Sequence, residues 1–365
     1  LFNRTLLSMA IAIFSMFFGA GNAIFPLLLG MEAQGQYGWA FLGLFMTAIG
    51  GPLLGLIGAT LYQGRCSDFF YRAGRIPGGI LIGVTIALLG PFAVLPRCAI
   101  VSYSAMEPLL KGLSLPLYGG IFCVIALFCC WKRRFLLPVL GYVLSPMLIA
   151  CLLFIIYRGF ISDLPIEMGT HSNWSAFKVG LTTGYNTMDL IASIYFSAGI
   201  WTMVELKGGS NPTKVFQMTL KSGILSCIFL GIIYFGLVYA AAKFSPYLVA
   251  IPKEKLMTHL ATVSLGGPLG LIANIAIGLA CLTTVISLAM TLSEIISKEI
   301  IPKRLSYHSS LIIILSITAV MTNIGFETIM HFIHSIVSIC YPIIIVLTVV
   351  NIIHKLYEKK VMPIS

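Results

Sequence analysis

The sequence predicts an all-α polytopic membrane protein of about ten transmembrane helices, in two sets of five of opposite orientation, with the first and sixth helices broken. Three observations carry this expectation. The 365 residues are 58% hydrophobic and 10% charged, with a mean hydropathy of +0.99, whereas a soluble domain carries about 25% charged residues. Apolar stretches recur along the whole chain, each near the ~20 residues that cross a bilayer. The first of them contains Phe17-Phe18-Gly19-Ala20-Gly21-Asn22-Ala23-Ile24-Phe25-Pro26. Hydrocarbon offers backbone groups no partner, so such a break is tolerated only where it is buried in protein or lines a cavity.

The spans are expected at about residues 6–29, 39–62, 78–106, 115–131 and 136–157, then at 184–204, 215–242, 268–297, 307–324 and 328–353. The first follows a single charge, Arg4, with no small-residue cleavage site behind it, so it is expected to be a retained span. With both termini and the even-numbered connections on one side, that side holds Arg4, Arg65, Arg72, Arg75, Lys132, Arg133, Arg134, Lys207, Lys214, Lys221, Lys298, Lys303, Arg304, Lys355, Lys359 and Lys360. The opposite side holds Lys111, Arg158, Lys178, Lys243, Lys253 and Lys255. This asymmetry places both termini in the cytoplasm. The net charge of +11 therefore reports topology, with some contact to anionic lipid, rather than a nucleic-acid surface.

The chain reads as one transmembrane domain: a first five-helix repeat over 1–157, an extracytoplasmic connection over 158–183 and a second repeat over 184–353. Five helices invert the second set relative to the first, and inverted repeats place a ligand at the midplane between them. In the third span, Pro91 and Pro96 should kink the helix and free carbonyls, with Arg97 close enough to fill them. The long connection over 243–265 is expected outside, as a partial lid. Nine cysteines show no CxxC and no Cys/His zinc spacing, so they are expected to be packing residues without disulfides or bound metal. Hydrolytic, P-loop and dinucleotide motifs are absent, which argues against an enzyme and against an ATP-driven pump.

A coupling cation such as sodium needs neutral oxygen ligands. The carbonyls of the first break and the hydroxyls of Thr283 and Thr284 in the eighth span are the candidates. The competing reading is that such hydroxyls bond the carbonyl one turn back. A zwitterionic ligand needs donors for its carboxylate, which the amides of Ala20, Gly21 and Asn22 offer at the start of a half-helix. Gly19 and Gly21 keep the ligand's space clear, the alternative being close helix packing. Arg97, Asp189 and Glu294 are ionisable residues within or at the edges of the membrane, and each is expected to have a structural or gating role. For Asp189 the alternative is the outer interface; for Glu294 it is pairing with a basic residue of the inner face. His331 and His334 lie near the outer interface, and Tyr195, Phe196, Tyr103 and Phe92 are candidate pocket walls.

The break sequence, with Gly90-Pro91-Phe92-Ala93-Val94-Leu95-Pro96-Arg97, Gly184-Tyr185-Asn186-Thr187-Met188-Asp189, Ala280-Cys281-Leu282-Thr283-Thr284, Glu294, Thr322-Asn323-Ile324-Gly325 and Ile339-Cys340-Tyr341-Pro342, resembles the bacterial branched-chain amino acid:cation symporter family. That family belongs to the amino acid–polyamine–organocation superfamily. The resemblance implies a LeuT-type inverted repeat and sodium-coupled uptake of leucine, isoleucine and valine across the bacterial inner membrane by alternating access. It implies that Ser15 and Phe18 carbonyls join Thr283 and Thr284 around sodium, with no other cofactor. It also implies that Gly19, Ala20, Gly21, Asn22, Ser193, Phe196 and Ser197 form the substrate site. The chain departs from the family at Leu27, where a second proline is usual, at Ser104, where an acid is frequent, and in its ten rather than twelve expected spans. A proton-coupled carrier or exchanger of other neutral amino acids, and a transport-inactive amino-acid sensor, are the alternative readings.

Overall fold

The computed structural model describes residues 4–110, 112–131, 145–208, 211–301 and 304–361. The first span is two half-helices, Arg4–Phe17 and Ala20–Ala33, separated by non-helical Phe18 and Gly19. Gly19 is extended, and Pro26 lies inside the second half-helix, where it has no N–H to give the Asn22 carbonyl. A turn with Gln34 at φ 43° leads to the second span. That span runs from Tyr37–Leu44 through a π-helical stretch, Phe45–Gly50, into Gly51–Thr60. Pro52 follows the π stretch and removes an amide donor, a local cause for the widened turn.

A short helix, Cys66–Tyr71, precedes the third span, which is divided at residues 90–93 into Arg75–Leu89 and Val94–Met106. Leu115–Trp131 and Ser145–Ile161 complete the first set. The second set comprises a divided sixth span, then Pro212–Lys243, Gly267–Ile295 with its π-helical extension Ile296–Ile300, Tyr307–Thr322 and Phe326–Val361. The predicted start of the fifth span and the charges at Lys111, Lys132, Arg133, Arg134 and Lys303 lie outside the described residues.

The sixth span differs most from expectation. It begins at Asn173, not at 184, and consists of Asn173–Tyr185 and Asp189–Gly208 around non-helical Asn186, Thr187 and Met188. The connection between the sets is therefore shorter than residues 158–183, because residues 173–183 are already helix, capped by the Ser172 hydroxyl. The expected break is real and lies at the end where the sequence suggested that the span began.

Packing follows the two-fold logic of an inverted repeat. The second half of the first span packs on the seventh, and the first half of the sixth packs on the second. The other halves do the same, first on seventh and sixth on second, while the third span packs along the eighth and the fourth along the ninth. Glycines set the closest approach. A Cβ at Gly180 would lie 1.9 Å from the Ala40 carbonyl oxygen, and one at Gly43 would lie 2.2 Å from that of Phe177. Small residues at such crossings let backbones approach where lipid supplies no hydrophobic drive.

Candidate functional site

The two breaks meet. Asn22, in the first turn after the first break, is 2% exposed, and its side-chain amide turns back to the Phe17 carbonyl and also donates to Asp189 Oδ1 at 3.1 Å. Asp189 opens the second half of the sixth span, and its other oxygen accepts from the Tyr234 hydroxyl of the seventh at 3.5 Å. The sixth break is shaped by Met188 at φ 60° and by Thr187, whose hydroxyl bonds the Gly184 carbonyl and accepts from the Asp189 amide. The Thr187 hydroxyl thus links the end of one half-helix to the start of the next, as short polar side chains do at caps. Asp189 is buried at the junction of the breaks, not at the outer interface.

At the first break, Phe18 N–H bonds the Phe14 carbonyl at 2.8 Å and Asn22 N–H bonds that of Gly19 at 3.1 Å. Neither bond uses the Ser15 or Phe18 carbonyl. Of the three amides considered for a carboxylate, that of Asn22 is thereby spent inside the chain, leaving Ala20 and Gly21 in the orphan first turn. Thr284 faces the break: a Cβ on Gly19 would lie 3.1 Å from its Cγ2 and 3.4 Å from its Oγ1. Thr283 and Thr284 both donate to the Ala280 carbonyl, at 2.8 and 3.0 Å. A hydroxyl that donates to backbone keeps its oxygen lone pairs for a cation. The back-bonding and ligating readings are therefore compatible.

Gly21 makes room for a side chain rather than for open space. Its missing Cβ would lie 2.6 Å from Arg97 Nη2. Arg97 is 1% exposed; it donates to the Asn186 carbonyl at 3.1 Å, reaches the Met330 sulfur at 3.9 Å and lies 5.0 Å from the Phe25 ring centroid. The expectation that Arg97 fills carbonyls freed by Pro91 and Pro96 is corrected, since it spans to the sixth break instead. Those prolines act locally: Pro91 sits in the interruption and Pro96 in the first turn of Val94–Met106, so both help divide the third span.

Three predicted substrate residues lie elsewhere. Ser193 and Ser197 bond carbonyls of their own helix at 2.7 and 2.6 Å, and Ser193 faces the second span, its Oγ 2.2 Å from a Cβ built on Gly55. Phe196 is 2% exposed in the interior of that half-helix, past the break. Tyr195 bonds Thr85, Tyr103 bonds the Leu113 carbonyl and Phe92 is 37% exposed, so these are packing or surface residues. Glu294 pairs with Lys298 at 3.5 Å on the half-exposed end of the eighth span.

A cavity of about 500 Å³ sits above the junction, walled by Phe25, Leu28, Met31 and Glu32 of the first span, Thr183 and Asn186 of the sixth, and Met330, His331 and His334 of the tenth. Val249 and Lys253 of the connection after the seventh span also line it. Ion pairs from Lys253 to Glu327 (3.1 Å) and from Lys255 to Glu107 (2.5 Å) hold that connection against the third and tenth spans. The histidines face this cavity.

Comparison with known proteins agrees with this architecture. Residues 3–364 match the family model described as branched-chain amino acid transport protein. A protein of Staphylococcus aureus (strain USA300), provisionally named a branched-chain amino acid carrier protein, is 30% identical over 380 residues, covering 98% of this chain and 84% of its own. A relative from Staphylococcus saprophyticus with the same kind of name is 32% identical over 368 residues, covering 94% and 80%. Among solved structures, the nucleobase-cation-symport-1 family transporter Mhp1 in a closed conformation superposes with TM-score 0.66 at 13% identity, over 94% of this chain and 77% of that one. A manganese transporter of Eremococcus coleocola gives 0.52 at 15%, over 96% and 76%. The fold is that of LeuT-type transporters, and the chain belongs to the family of branched-chain amino acid transport proteins.

Proposed function

We propose that this multi-pass protein is a secondary symporter that imports leucine, isoleucine and valine across the bacterial inner membrane, both termini in the cytoplasm, with sodium as the coupling ion. The observation that carries the proposal is the meeting of two helix breaks at Asn22–Asp189, with Thr284 against the Gly19 side of the same junction. Breaks at membrane depth supply what an ion and a zwitterion need: free carbonyls, free amides and helix ends of opposite polarity. Ser15 and Phe18 carbonyls with the Thr283 and Thr284 oxygens form the ion site in this reading. The Ala20 and Gly21 amides lie on the substrate side. Phe25, Leu28, Met31 and Met330 present an apolar surface suited to a branched aliphatic side chain. One methylene there is worth about 1–3 kcal/mol, so the three substrates compete rather than exclude one another.

The test is leucine uptake by proteoliposomes under an inward sodium gradient, then under a proton gradient alone. Sodium-driven uptake whose half-saturating sodium rises at least tenfold in Thr284→Ala supports the reading. Uptake driven only by protons overturns the ion assignment. A second reading, proton coupling, is favoured by one observation: Asp189 is a buried carboxylate joining the breaks, where protonation would remove the charge to which Asn22 and Tyr234 donate. Asp189→Asn separates the two. It abolishes proton-driven uptake in that reading and leaves a sodium-dependent rate in the first.

A further inference from the structure

The Arg97 guanidinium is a permanent cation, 1% exposed, and no carboxylate among the described residues lies within ion-pair distance of it. Its partners are a carbonyl, a thioether and an aromatic face, and its Nε–H has none. Asp189 does not neutralise it directly, being engaged by Asn22 and Tyr234. Asp189 is near enough to attract it across the junction but not to pair with it, and a buried charge with no contacting counter-ion is disfavoured. Close by, the side-chain oxygen of Asn186 is also buried without a partner, on the residue whose carbonyl Arg97 holds.

These two orphans have opposite character, a cationic donor and a neutral acceptor. The guanidinium lies at the start of the second half of the first span, where the missing Cβ of Gly21 admits it, and its bond to the Asn186 carbonyl brings in the residue that carries the second orphan. Phe25, Asn186 and Met330, the residues that touch Arg97, are also lining residues of the cavity above. Arg97 therefore lies one side-chain layer beneath the floor of a 500 Å³ chamber.

We propose that Arg97 is the receptor for the α-carboxylate of the transported amino acid and that the Asn186 side-chain oxygen accepts from its ammonium group, with Phe25 and Met330 as the movable floor between chamber and receptor. This rests on the transport reading above and deepens it by naming what recognises the zwitterion. The carboxylate enters when the Phe25 ring and the unbranched Met330 side chain turn aside. It supplies a counter-ion in direct contact and satisfies Nε–H, while the ammonium satisfies Asn186. A planar guanidinium suits a carboxylate through two parallel hydrogen bonds, which a lysine ammonium does not reproduce.

The test compares leucine with two analogues on the purified full chain, by competition against labelled leucine. Leucinamide lacks the carboxylate charge, and 4-methylpentanoate lacks the ammonium. Wild type should prefer leucine to leucinamide by a hundredfold or more. Arg97→Gln should weaken leucine at least thirtyfold and leave leucinamide within threefold, so that the preference collapses, and Arg97→Lys should restore part of it. Asn186→Leu should lose discrimination against 4-methylpentanoate while keeping that against leucinamide. A full leucine preference in Arg97→Gln overturns the proposal, and so does equal binding of leucine and leucinamide by wild type, which needs no variant. Wild type that binds no leucine at all overturns the transport reading itself, a result distinct from both.

Discussion

The contact between Gly19 and Thr284 can be tested atom by atom. A methyl at position 19 would lie 3.1 Å from Thr284 Cγ2 but 3.4 Å from Oγ1, so the methyl carbon of threonine, not its hydroxyl, is the obstacle. The misfit is a few tenths of an ångström, and both partners are backbone-anchored: Gly19 by its place in the break, Thr284 by its bond to Ala280. Overpacking of this kind costs typically 1–3 kcal/mol, and the small misfit places Gly19→Ala near about 1 kcal/mol. If the break and the hydroxyl share an ion, that is roughly a fivefold rise in half-saturating sodium for leucine uptake. Thr284→Ser deletes Cγ2 and keeps the oxygen. The double variant Gly19→Ala/Thr284→Ser should therefore recover most of the loss, whereas Gly19→Ala/Thr284→Val, which keeps the bulk and loses the oxygen, should be worse than either single change. The assay is sodium-dependent uptake in proteoliposomes, with thermal unfolding of the same preparations as a check on folding. Additive losses in the serine double variant would refute the geometry.

Three further outcomes follow from the packing. Gly180→Ala forces a Cβ to within 1.9 Å of the Ala40 carbonyl, so the second and sixth spans must separate, at about 1–3 kcal/mol seen as a lower unfolding temperature in detergent; Gly83→Ala, with nothing within 4 Å of its Cβ, should be neutral or stabilising. Removing the Lys255–Glu107 ion pair with Lys255→Ala should change stability by less than about 1 kcal/mol, because both side chains are some two-fifths exposed, and the effect should vanish at high salt in the same melts. Asn351 is fully buried, donates to the Phe69 carbonyl at 2.9 Å and accepts from Tyr62, so Asn351→Leu strands both groups at about 1–3 kcal/mol and should loosen the short helix Cys66–Tyr71. Peptide-resolved maleimide labelling should then find the otherwise buried Cys66 several-fold faster; unchanged labelling would refute that role.

What was legible in the sequence and what was not divides along physical lines. The first break could be read because Gly19, Gly21, Asn22 and Pro26 are helix-weakening residues crowded into an apolar run, where no solvent-exposed turn explains them. The sixth break was expected in kind but not located. Asn186, Thr187 and Asp189 carry an end-and-restart signature, yet they follow the moderately polar helix Asn173–Tyr185, so the same residues read as the water-facing start of a span. Ser193, Phe196 and Ser197, the expected substrate residues, accordingly lie one to two turns past the observed break. Arg97 was recognised as costly, but its direction was not legible. Only the third dimension shows that Gly21 leaves space for it and that its hydrogen-bond acceptor belongs to the other repeat. Thr284 is found against Gly19, on the helix opposite the first break, with its hydroxyl on the Ala280 carbonyl.

The contacts around the breaks fall into two kinds, and the difference bears on how such a site could open and close. The first and sixth spans pack on the second and seventh, and the Asn22–Asp189–Tyr234 bonds lie wholly inside that group. The third and eighth spans pack on each other and on the fourth and ninth. Between the groups the site is joined by a methyl-sized contact, Gly19 with Thr284, and by the guanidinium of Arg97 resting at Gly21 and on the Asn186 carbonyl. Relative movement of the groups therefore keeps the two breaks aligned with each other, since their hydrogen bonds travel together. At the site it breaks one charge-assisted hydrogen bond, worth about 1.5–3 kcal/mol, and exchanges some van der Waals contact, while further along the same spans the Thr85–Tyr195 bond also joins the groups. A ligand held between the breaks on one side and Thr284 and Arg97 on the other bridges the groups. Its binding energy is then spent on their relative position, which is the physical requirement for coupling occupancy to access.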